Sequence, residues 1–150
     1  MTVREVMTSA PVVVAPDTTL AKAAALMLEA DCGILPVIDH DRLTGVVTDR
    51  DLFIALGTRN VLASALTVGE VARHDVWTCA PDDDVQVTLD IMSQRRIRRL
   101  PTVEANGHVV GIVSMNDILL AIGGARAVPQ GHVIDTLQKI SAHHHLPSVT

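Results

Sequence analysis

The chain has 150 residues, of which 48% are hydrophobic, and a net charge of −5 with its seven histidines counted as neutral. A chain of this length and apolar content can bury the core of one compact domain. One Trp, one Phe, no Tyr and an acidic balance argue against nucleic acid as a partner, because nucleic-acid binding generally needs a basic surface and stacking aromatics. The same scarcity predicts that a flat ligand ring would be held by aliphatic side chains and backbone.

Membrane insertion and export have no support in the sequence. Apolar runs such as ILLAI at 118–122 fall far short of the roughly 18 residues that a spanning helix needs. The N-terminus, MTVREVMTSAP, is charged near its start and lacks the apolar core of a signal peptide. We therefore expect a cytoplasmic protein. Cys32 and Cys79 lie outside any CxxC spacing, which argues against disulfides and structural zinc and predicts two buried, small apolar residues.

The chain contains two copies of one unit, recognised by identical residues at a constant spacing. After a one-residue insertion the spacing grows from 65 to 66, and GVVTDRD at 45–51 recurs as GIVSMND at 111–117. The insertion lies in a predicted turn, where Asn106-Gly107 between apolar runs is a strong hairpin signal. The residues that recur at a spacing of 65 are Val3, Glu5, Val6, Ala15, Pro16, Asp17, Met27, Leu35 and Pro36.

Each copy predicts the same elements in the same order. A short helix (VREVM or VGEVA) precedes a short strand (VVVA or VWTC), and a second helix follows Pro16-Asp17 or Pro81-Asp82 with capping residues. A hairpin of two strands comes next, and a final helix, DLFIAL or DILLAI, ends the copy. The core face of the second helix is predicted at Leu20, Ala24 and Met27 in the first copy and at Val85, Leu89 and Met92 in the second.

These elements predict an α/β fold of the α+β type. Each repeat would be a small mixed sheet with packed helices, and pseudo-two-fold symmetry would relate the two. The predicted boundaries are 1–57 for the first repeat, 58–67 for a linker, 68–123 for the second repeat and 124–150 for a C-terminal extension. Within the extension, HVIDTLQKI at 132–140 predicts a short amphipathic helix after the break at Pro129 to Gly131, which either docks on a dimer or contacts a partner.

The final helices, DLFIAL and DILLAI, are apolar around their whole circumference. A helix of this kind has no solvent face of its own. One side can pack on its own sheet and another on the sister repeat, and the apolar surface left over predicts a symmetric homodimer.

The junction between the hairpin and the final helix carries Thr48 and Asp51 in one copy and Ser114 and Asp117 in the other. A hydroxyl followed three residues later by an acid fits a capping box, which needs no ligand. The same helix start, with free N–H groups and the positive end of the macrodipole, also fits a phosphate site, with the acid accepting from a ribose diol. Both interpretations stay open at the level of sequence.

The order of elements, with LPVID before the turn, GVVTDRD after it, and RRLPTVE and GIVSMND in the second copy, resembles the cystathionine beta-synthase (CBS) domain. Two such repeats in tandem form a Bateman module, and the resemblance covers about residues 1 to 123. It implies a regulatory module without chemistry of its own that binds AMP, ADP or ATP, and less often S-adenosylmethionine or NAD, in clefts between the repeats. No other cofactor is implied.

The resemblance also implies site residues. The hydroxyl and acid of the motif would contact phosphate and ribose, which indicates Thr48, Asp51, Ser114 and Asp117. Basic residues beside the strand before the hairpin often hold phosphate, which indicates Arg98 and Arg99. The first copy has Gly33-Ile34 at those positions, so we expect the two clefts to differ.

Further arginines crowd the same stretches. Arg50 lies inside the first motif, and Arg95 and Arg96 precede Arg98. Together they could neutralise a polyphosphate, although Arg95 and Arg96 also fit the end of a helix, where cations complement the negative dipole. The run His143 to His145 lacks a partnering Cys or acid cluster and is interpreted as a solvated tail rather than a metal site.

Two functions from different classes follow. The first is a nucleotide sensor whose occupancy alters the dimer or the surface for an unidentified protein partner. The second is a ligand-independent scaffold in which both motifs serve only as caps. An enzyme is disfavoured, because the sequence has no nucleophile paired with a base, no HExxH-type site and no glycine-rich phosphate loop.

Overall fold

The structure, a computed structural model, describes residues 1–124 and 128–142. The first copy contains α1 (Val3–Val6), β1 (Thr8–Ser9), α2 (Leu20–Ala30), β2 (Ile34–Asp39), β3 (Arg42–Thr48) and α3 (Asp49–Arg59). After a 3-10 turn at Ala63–Ala65, the second copy contains α4 (Val68–Val71), α5 (Val85–Arg95), β4 (Arg99–Val103), β5 (Val109–Ser114) and α6 (Met115–Leu120). The helix predicted in the extension is α7 (Gln130–Ser141). The predicted α+β architecture is confirmed.

The two hairpins are antiparallel ladders, β2 with β3 and β4 with β5. The short strands predicted before α2 and α5 are reduced to single parallel bridges, Val14 to Val37 and Cys79 to Thr102. Prolines explain the reduction. Val14 bonds to the Pro36 carbonyl and the Ile38 N–H, and the next bonds of a parallel ladder would need N–H groups from Pro36 and Pro16, which proline lacks.

The short N-terminal helix of each copy packs against the other copy. Val3 of α1 is fully buried in the second core, beside Val85 and Leu89, and Val68 of α4 is fully buried in the first core. Strand β1 continues this exchange by pairing with β5. The predicted repeat boundaries stay a prediction, but the packing crosses them, so neither core is complete without the other copy.

The predicted core face of the second helix is confirmed in α5, where Val85, Leu89 and Met92 are fully buried. In α2, Leu20 and Met27 are buried, but the prediction for Ala24 was wrong: it is exposed, and Ala23 is buried instead. The difference has a structural cause. Helix α7 packs on α5 and extends the second core.

Two glycines allow the copies to approach each other. A Cβ on Gly45 would lie 2.7 Å from the backbone oxygen of Arg73, and one on Gly111 would lie 3.0 Å from the backbone oxygen of Thr8 and against Met7. Gly45 and Gly111 open the two repeated motifs, so a glycine inside each strand marks the place where a segment of the sister copy crosses it.

We expect Gly45→Ala to destabilise the fold. The added methyl group would push against backbone rather than a flexible side chain, at a cost of about 1–3 kcal/mol in the free energy of unfolding. Gly57→Ala is the matched control, because nothing lies within 4 Å of a Cβ there. Alanine in place of glycine inside a helix raises the free energy of unfolding by about 0.5–1 kcal/mol. Urea unfolding with an unchanged m-value measures both, and equal shifts in the two variants would contradict the close-approach argument.

Candidate functional site

Both repeated motifs form complete capping boxes. The Thr48 hydroxyl accepts from the Asp51 N–H at 3.2 Å, and the Asp51 carboxylate accepts from the Thr48 N–H at 3.0 Å. In the second copy the corresponding distances between Ser114 and Asp117 are 3.1 and 2.8 Å, and the Ser114 hydroxyl also donates to the carboxylate at 2.7 Å. The capping interpretation therefore holds for both helices.

The first turn of α3 offers no free N–H group for an anion. The Asp49 N–H donates to the Gly33 carbonyl at 3.1 Å, and the Arg50 N–H donates to the Asp49 carboxylate at 2.8 Å. The Asp51 N–H is taken by the cap. The expectation of free backbone donors at this terminus was wrong for α3, because the motif's own side chains and the preceding loop satisfy them. Positive charge for an anion must come from side chains.

That charge is concentrated in one cleft of about 900 Å³ between the two copies. Thr48 and Arg50 line it from the first copy, and Arg98 and Arg99 line it from the second. Its wall also carries two acidic residues, Asp49 and Asp75. Arg73, which the sequence interpretation did not single out, lines it as well, and Arg95 and Arg96 complete a set of six arginines. The lining thus has an excess of four positive charges in a chain whose net charge is −5.

Arg99 reaches from the second copy to the first. Its guanidinium lies 3.0 Å from where a Cβ on Gly33 would stand, and the Asp49 carboxylate lies 2.9 Å from the same point. Gly33 is the position equivalent to Arg98. The small residue in the first copy therefore leaves room for an arginine from the second, so the sequence difference between the copies is part of how the cleft is built.

Trp77, the chain's one tryptophan, lies in the same wall. The Arg95 guanidinium stacks on its indole ring at 3.6 Å from the ring centroid, which is a cation–π contact. Helix α5 ends at Arg95, and Arg96 is its C-cap in the left-handed region with φ 55°. Both arginines thus end the helix, as interpreted, and also line the cleft. This aromatic wall was not predicted, because no motif or spacing in the sequence places Trp77 near Thr48.

Arg73 is tied to Asp51. Its Nε lies 3.2 Å from Asp51 Oδ1, and the Asp51 side chain is 9% exposed whereas that of Arg73 is 56% exposed. The two residues are 22 positions apart and belong to different copies. Sequence reasoning found Asp51 but not its partner, although Gly45, which lets the Arg73 backbone approach, was a usable signal.

The second motif has different surroundings. Ser114 and Asp117 do not line the arginine-rich cleft. Because α6 has six residues against eleven in α3, its macrodipole is also shorter. The spacing of 65 or 66 relates the six arginines to positions without positive charge, namely Thr8, Ala30, Asp31, Gly33, Ile34 and Asn116.

The CBS domain family matches the chain twice, over residues 3–58 and 68–124. The two matches cover both copies of the repeat and both motifs. The chain belongs to the CBS domain family. Its tandem arrangement makes it a CBS pair, which confirms the predicted Bateman module.

Relatives of the CBS pair include proteins with known ligands. Hypoxic response protein 1 of Mycobacterium tuberculosis is 32% identical over 140 residues, 93% of each chain, and a crystal structure of Hypoxic Response Protein I holds two coordinated zinc ions (TM-score 0.73, 32% identity, 81% of this chain and 99% of that one). The CBS pair of protein MJ0100 was solved with 5′-methylthioadenosine and S-adenosyl-L-methionine (TM-score 0.74, 26% identity, 80% and 94%). CBSX2 was solved with AMP (TM-score 0.69, 28% identity, 80% and 94%).

Within residues 1–124 and 128–142, no three His, Cys, Asp or Glu side chains lie close enough to hold a metal ion. His143 to His145 lie outside the described residues. Cys79 is buried, which raises the pKa of its thiol, whereas Cys32 is only half-buried, contrary to the prediction. Among the described helices, none has the length and apolar content needed to cross a bilayer.

We expect Asp117→Ala to cost about 0.5–2 kcal/mol of stability, because it removes one capping box. Asp51→Ala should cost about 1 kcal/mol more, since it removes both a cap and the partner of Arg73. Asn116→Ala, an exposed change in the same turn as Asp117, should stay within about 0.5 kcal/mol. Urea unfolding of the three variants measures this order, and an Asp51→Ala variant less affected than Asp117→Ala would contradict it.

Proposed function

We propose that this CBS pair is a non-catalytic regulatory module that binds an adenine nucleotide in the arginine-rich cleft. The observation that carries the proposal is the meeting of Thr48, Arg50, Arg98 and Arg99 in one cleft of about 900 Å³, within the size of common small-ligand pockets. The AMP complex of CBSX2 and the S-adenosyl-L-methionine complex of MJ0100 support the ligand class. Neither a further cofactor nor a metal is part of the proposal.

The charge of the cleft favours ligands with several phosphates. Arginine guanidinium groups form charge-assisted, often bidentate hydrogen bonds to phosphate oxygens. Each added phosphate therefore gains contacts with Arg98, Arg99 or Arg50, and ATP and ADP should bind more tightly than AMP. S-adenosylmethionine carries a positive sulfonium and no phosphate, so the same field disfavours it. NAD carries two phosphates, so its affinity should lie between those of S-adenosylmethionine and ATP.

The second motif would form the weaker of the two binding sites. Ser114 and Asp117 would contact the phosphate and ribose of a second ligand, but the positions equivalent to the six arginines are uncharged or acidic. A ligand at that side should be one with little negative charge. We therefore propose one high-affinity nucleotide per chain rather than two equal ones.

A ligand-independent scaffold is the second candidate. The observation in its favour is that both capping boxes are complete without any ligand, so the motif residues have a structural task of their own. In this case the arginines would serve contact with a protein partner. The two candidates differ in whether nucleotide stabilises the folded protein.

Binding should follow the number of phosphates, with ATP and ADP tighter than AMP. Arg98→Ala/Arg99→Ala should weaken ATP by ten-fold or more, since a hydrogen bond to a charged group contributes roughly 1.5–3 kcal/mol. The matched control is Arg4→Ala/Arg59→Ala, which removes the same charge outside the cleft lining. Calorimetry gives the affinities, and Trp77 fluorescence gives a second signal from the cleft wall.

Two results would count against the proposal. Equal loss of ATP affinity in both double variants would mean that the arginines act only through net charge. Silence of AMP, ADP, ATP, NAD and S-adenosylmethionine in a thermal-shift panel would favour the scaffold, since a ligand at about 100 times its dissociation constant adds roughly 2.7 kcal/mol to native stability.

We also propose a homodimer in solution, through the final helices of both copies. Phe53 of α3 is 78% exposed and Leu120 of α6 is 87% exposed, with Ile54 and Leu119 beside them. Large apolar side chains exposed on two matching helices are typical of a contact surface. The pseudo-two-fold relation of α3 and α6 suits an interface between two copies of the chain.

Light scattering at micromolar concentration should give twice the chain mass of 16.0 kDa. Phe53→Glu/Leu120→Glu should lower the measured mass toward that of one chain, because it places charges on the proposed surface. Leu28→Glu is the control, since Leu28 is as exposed but lies on α2. A wild-type protein with the mass of one chain would contradict the dimer.

A further inference from the structure

The Asp51 carboxylate lies behind the wall of the cleft rather than in it. Asp51 is 9% exposed and does not line the cleft, whereas Arg73 does. Oδ2 accepts from the Thr48 N–H at 3.0 Å, and Oδ1 accepts from Arg73 Nε at 3.2 Å. Both oxygens therefore have partners from the chain, and of the two residues only Arg73 lines the cleft.

Arg73 is fixed at its backbone as well as at its side chain. The Val46 N–H donates to the Arg73 carbonyl at 3.0 Å, and the Arg73 N–H donates to the Val46 carbonyl at 2.9 Å. Gly45 makes this approach possible, since a Cβ there would lie 2.7 Å from the Arg73 oxygen. Only one of the five guanidinium N–H groups is used in the contact with Asp51. An arginine held in this way has less freedom to lose when it binds an anion.

The second copy lacks this arrangement. The backbone pair Val46 with Arg73 corresponds to the pair Ile112 with Thr8. Thr8 therefore occupies, beside the second motif, the position that Arg73 occupies beside the first. Asp117 thus has an uncharged residue at the position from which Arg73 reaches Asp51. The repeat supplies the carboxylate twice but the arginine once.

We infer that Arg73 is an anion-binding side chain of the cleft, and that Asp51 positions Arg73 for the ligand. The inference rests on the proposed nucleotide function and names which part of the ligand this side of the site recognises. Arg73 takes a phosphate oxygen of a nucleoside polyphosphate, through the guanidinium edge that Asp51 leaves open. This gives Asp51 a role in addition to the ribose contact that the family resemblance implies.

The test is a double-mutant cycle of Asp51→Asn, Arg73→Gln and the two combined. Affinities for adenosine, AMP, ADP, ATP, 2′-deoxy-ATP and inorganic tripolyphosphate are measured by calorimetry. Arg73→Gln should weaken ATP and tripolyphosphate about ten-fold and leave adenosine unchanged. Asp51→Asn should also weaken tripolyphosphate, which has no ribose, and the combined variant should bind tripolyphosphate no more weakly than Arg73→Gln, because the two residues act as one unit.

Two controls separate binding from folding and from net charge. Arg4→Gln removes the same charge from an exposed arginine whose Nε lies 3.4 Å from Asp82, outside the cleft lining. Its ATP affinity should match wild type. Arg73→Lys keeps the charge, and partial recovery of the ATP affinity lost in Arg73→Gln would identify an electrostatic contact. Arg73→Gln leaves the capping box at Thr48 intact, so it tests the inference even if Asp51→Asn fails to fold.

Three results would overturn the inference. One is an Arg73→Gln variant with wild-type ATP affinity. The second is an Asp51→Asn variant with wild-type affinity for tripolyphosphate, because a residue that served only as a cap or a ribose contact would leave the binding of a ribose-free anion unchanged. The third is failure of wild type to bind either ATP or tripolyphosphate. Arg73-dependent binding of tripolyphosphate without ATP would uphold the inference while the proposed nucleotide function failed.

Discussion

The backbone pairing of Arg73 with Val46, and of Thr8 with Ile112, joins the two copies and determines where a cleft can form. Each pairing brings a segment that precedes one copy's sheet onto the edge of the other copy's hairpin. The helices α1 and α4 directly precede these segments in the chain, and each helix packs into the core of the other copy. Because each core borrows a helix, the copies fold together, and the space between their hairpins is fixed by the same hydrogen bonds that hold the fold.

A symmetric backbone here carries asymmetric charge. The hairpins, capping boxes and exchanged helices recur in both copies, but the six arginines of the cleft have no basic counterpart at the related positions. Arg99 reaches Gly33 because that position lacks a side chain, and Arg73 reaches Asp51 because Gly45 lacks one. Duplication therefore supplied two equivalent scaffolds, and a few glycine and arginine positions made one of them strongly cationic.

The sequence was sufficient for the local features of this protein. Constant spacing gave the two copies, Asn106-Gly107 marked a hairpin turn, and the hydroxyl and acid of each motif predicted capping boxes that the structure contains. These signals are local, because hydrogen bonds three residues apart and helical periodicity leave their pattern in neighbouring residues. The single bridges at Val14 and Cys79 were within reach, since the prolines that limit them are visible in the sequence.

The features that could not be predicted depend on contacts between elements that are distant in the chain. Arg73 and Asp51 are 22 residues apart, and no periodicity relates them. Trp77 and Arg95 meet only because the segment after α4 crosses the end of α5. Ala24 was placed in the core on helical spacing alone, but burial also requires a neighbour, such as the one that α7 provides for α5 in the second copy. The missed residues share one property, which is that elements other than their own provide their surroundings.

Capping and ligand binding are not exclusive explanations of the motif. The Asp51 carboxylate uses Oδ2 to cap α3 and Oδ1 to hold Arg73, so one side chain connects helix stability with the cleft wall. A change at Asp51 must therefore alter both, whereas a change at Arg73 alters the wall and leaves the cap. This is why stability alone cannot separate a cap from a site residue in this protein. The dependence of affinity on the number of phosphates can separate the two roles, because a capping box does not interact with the phosphates that distinguish a nucleotide from adenosine.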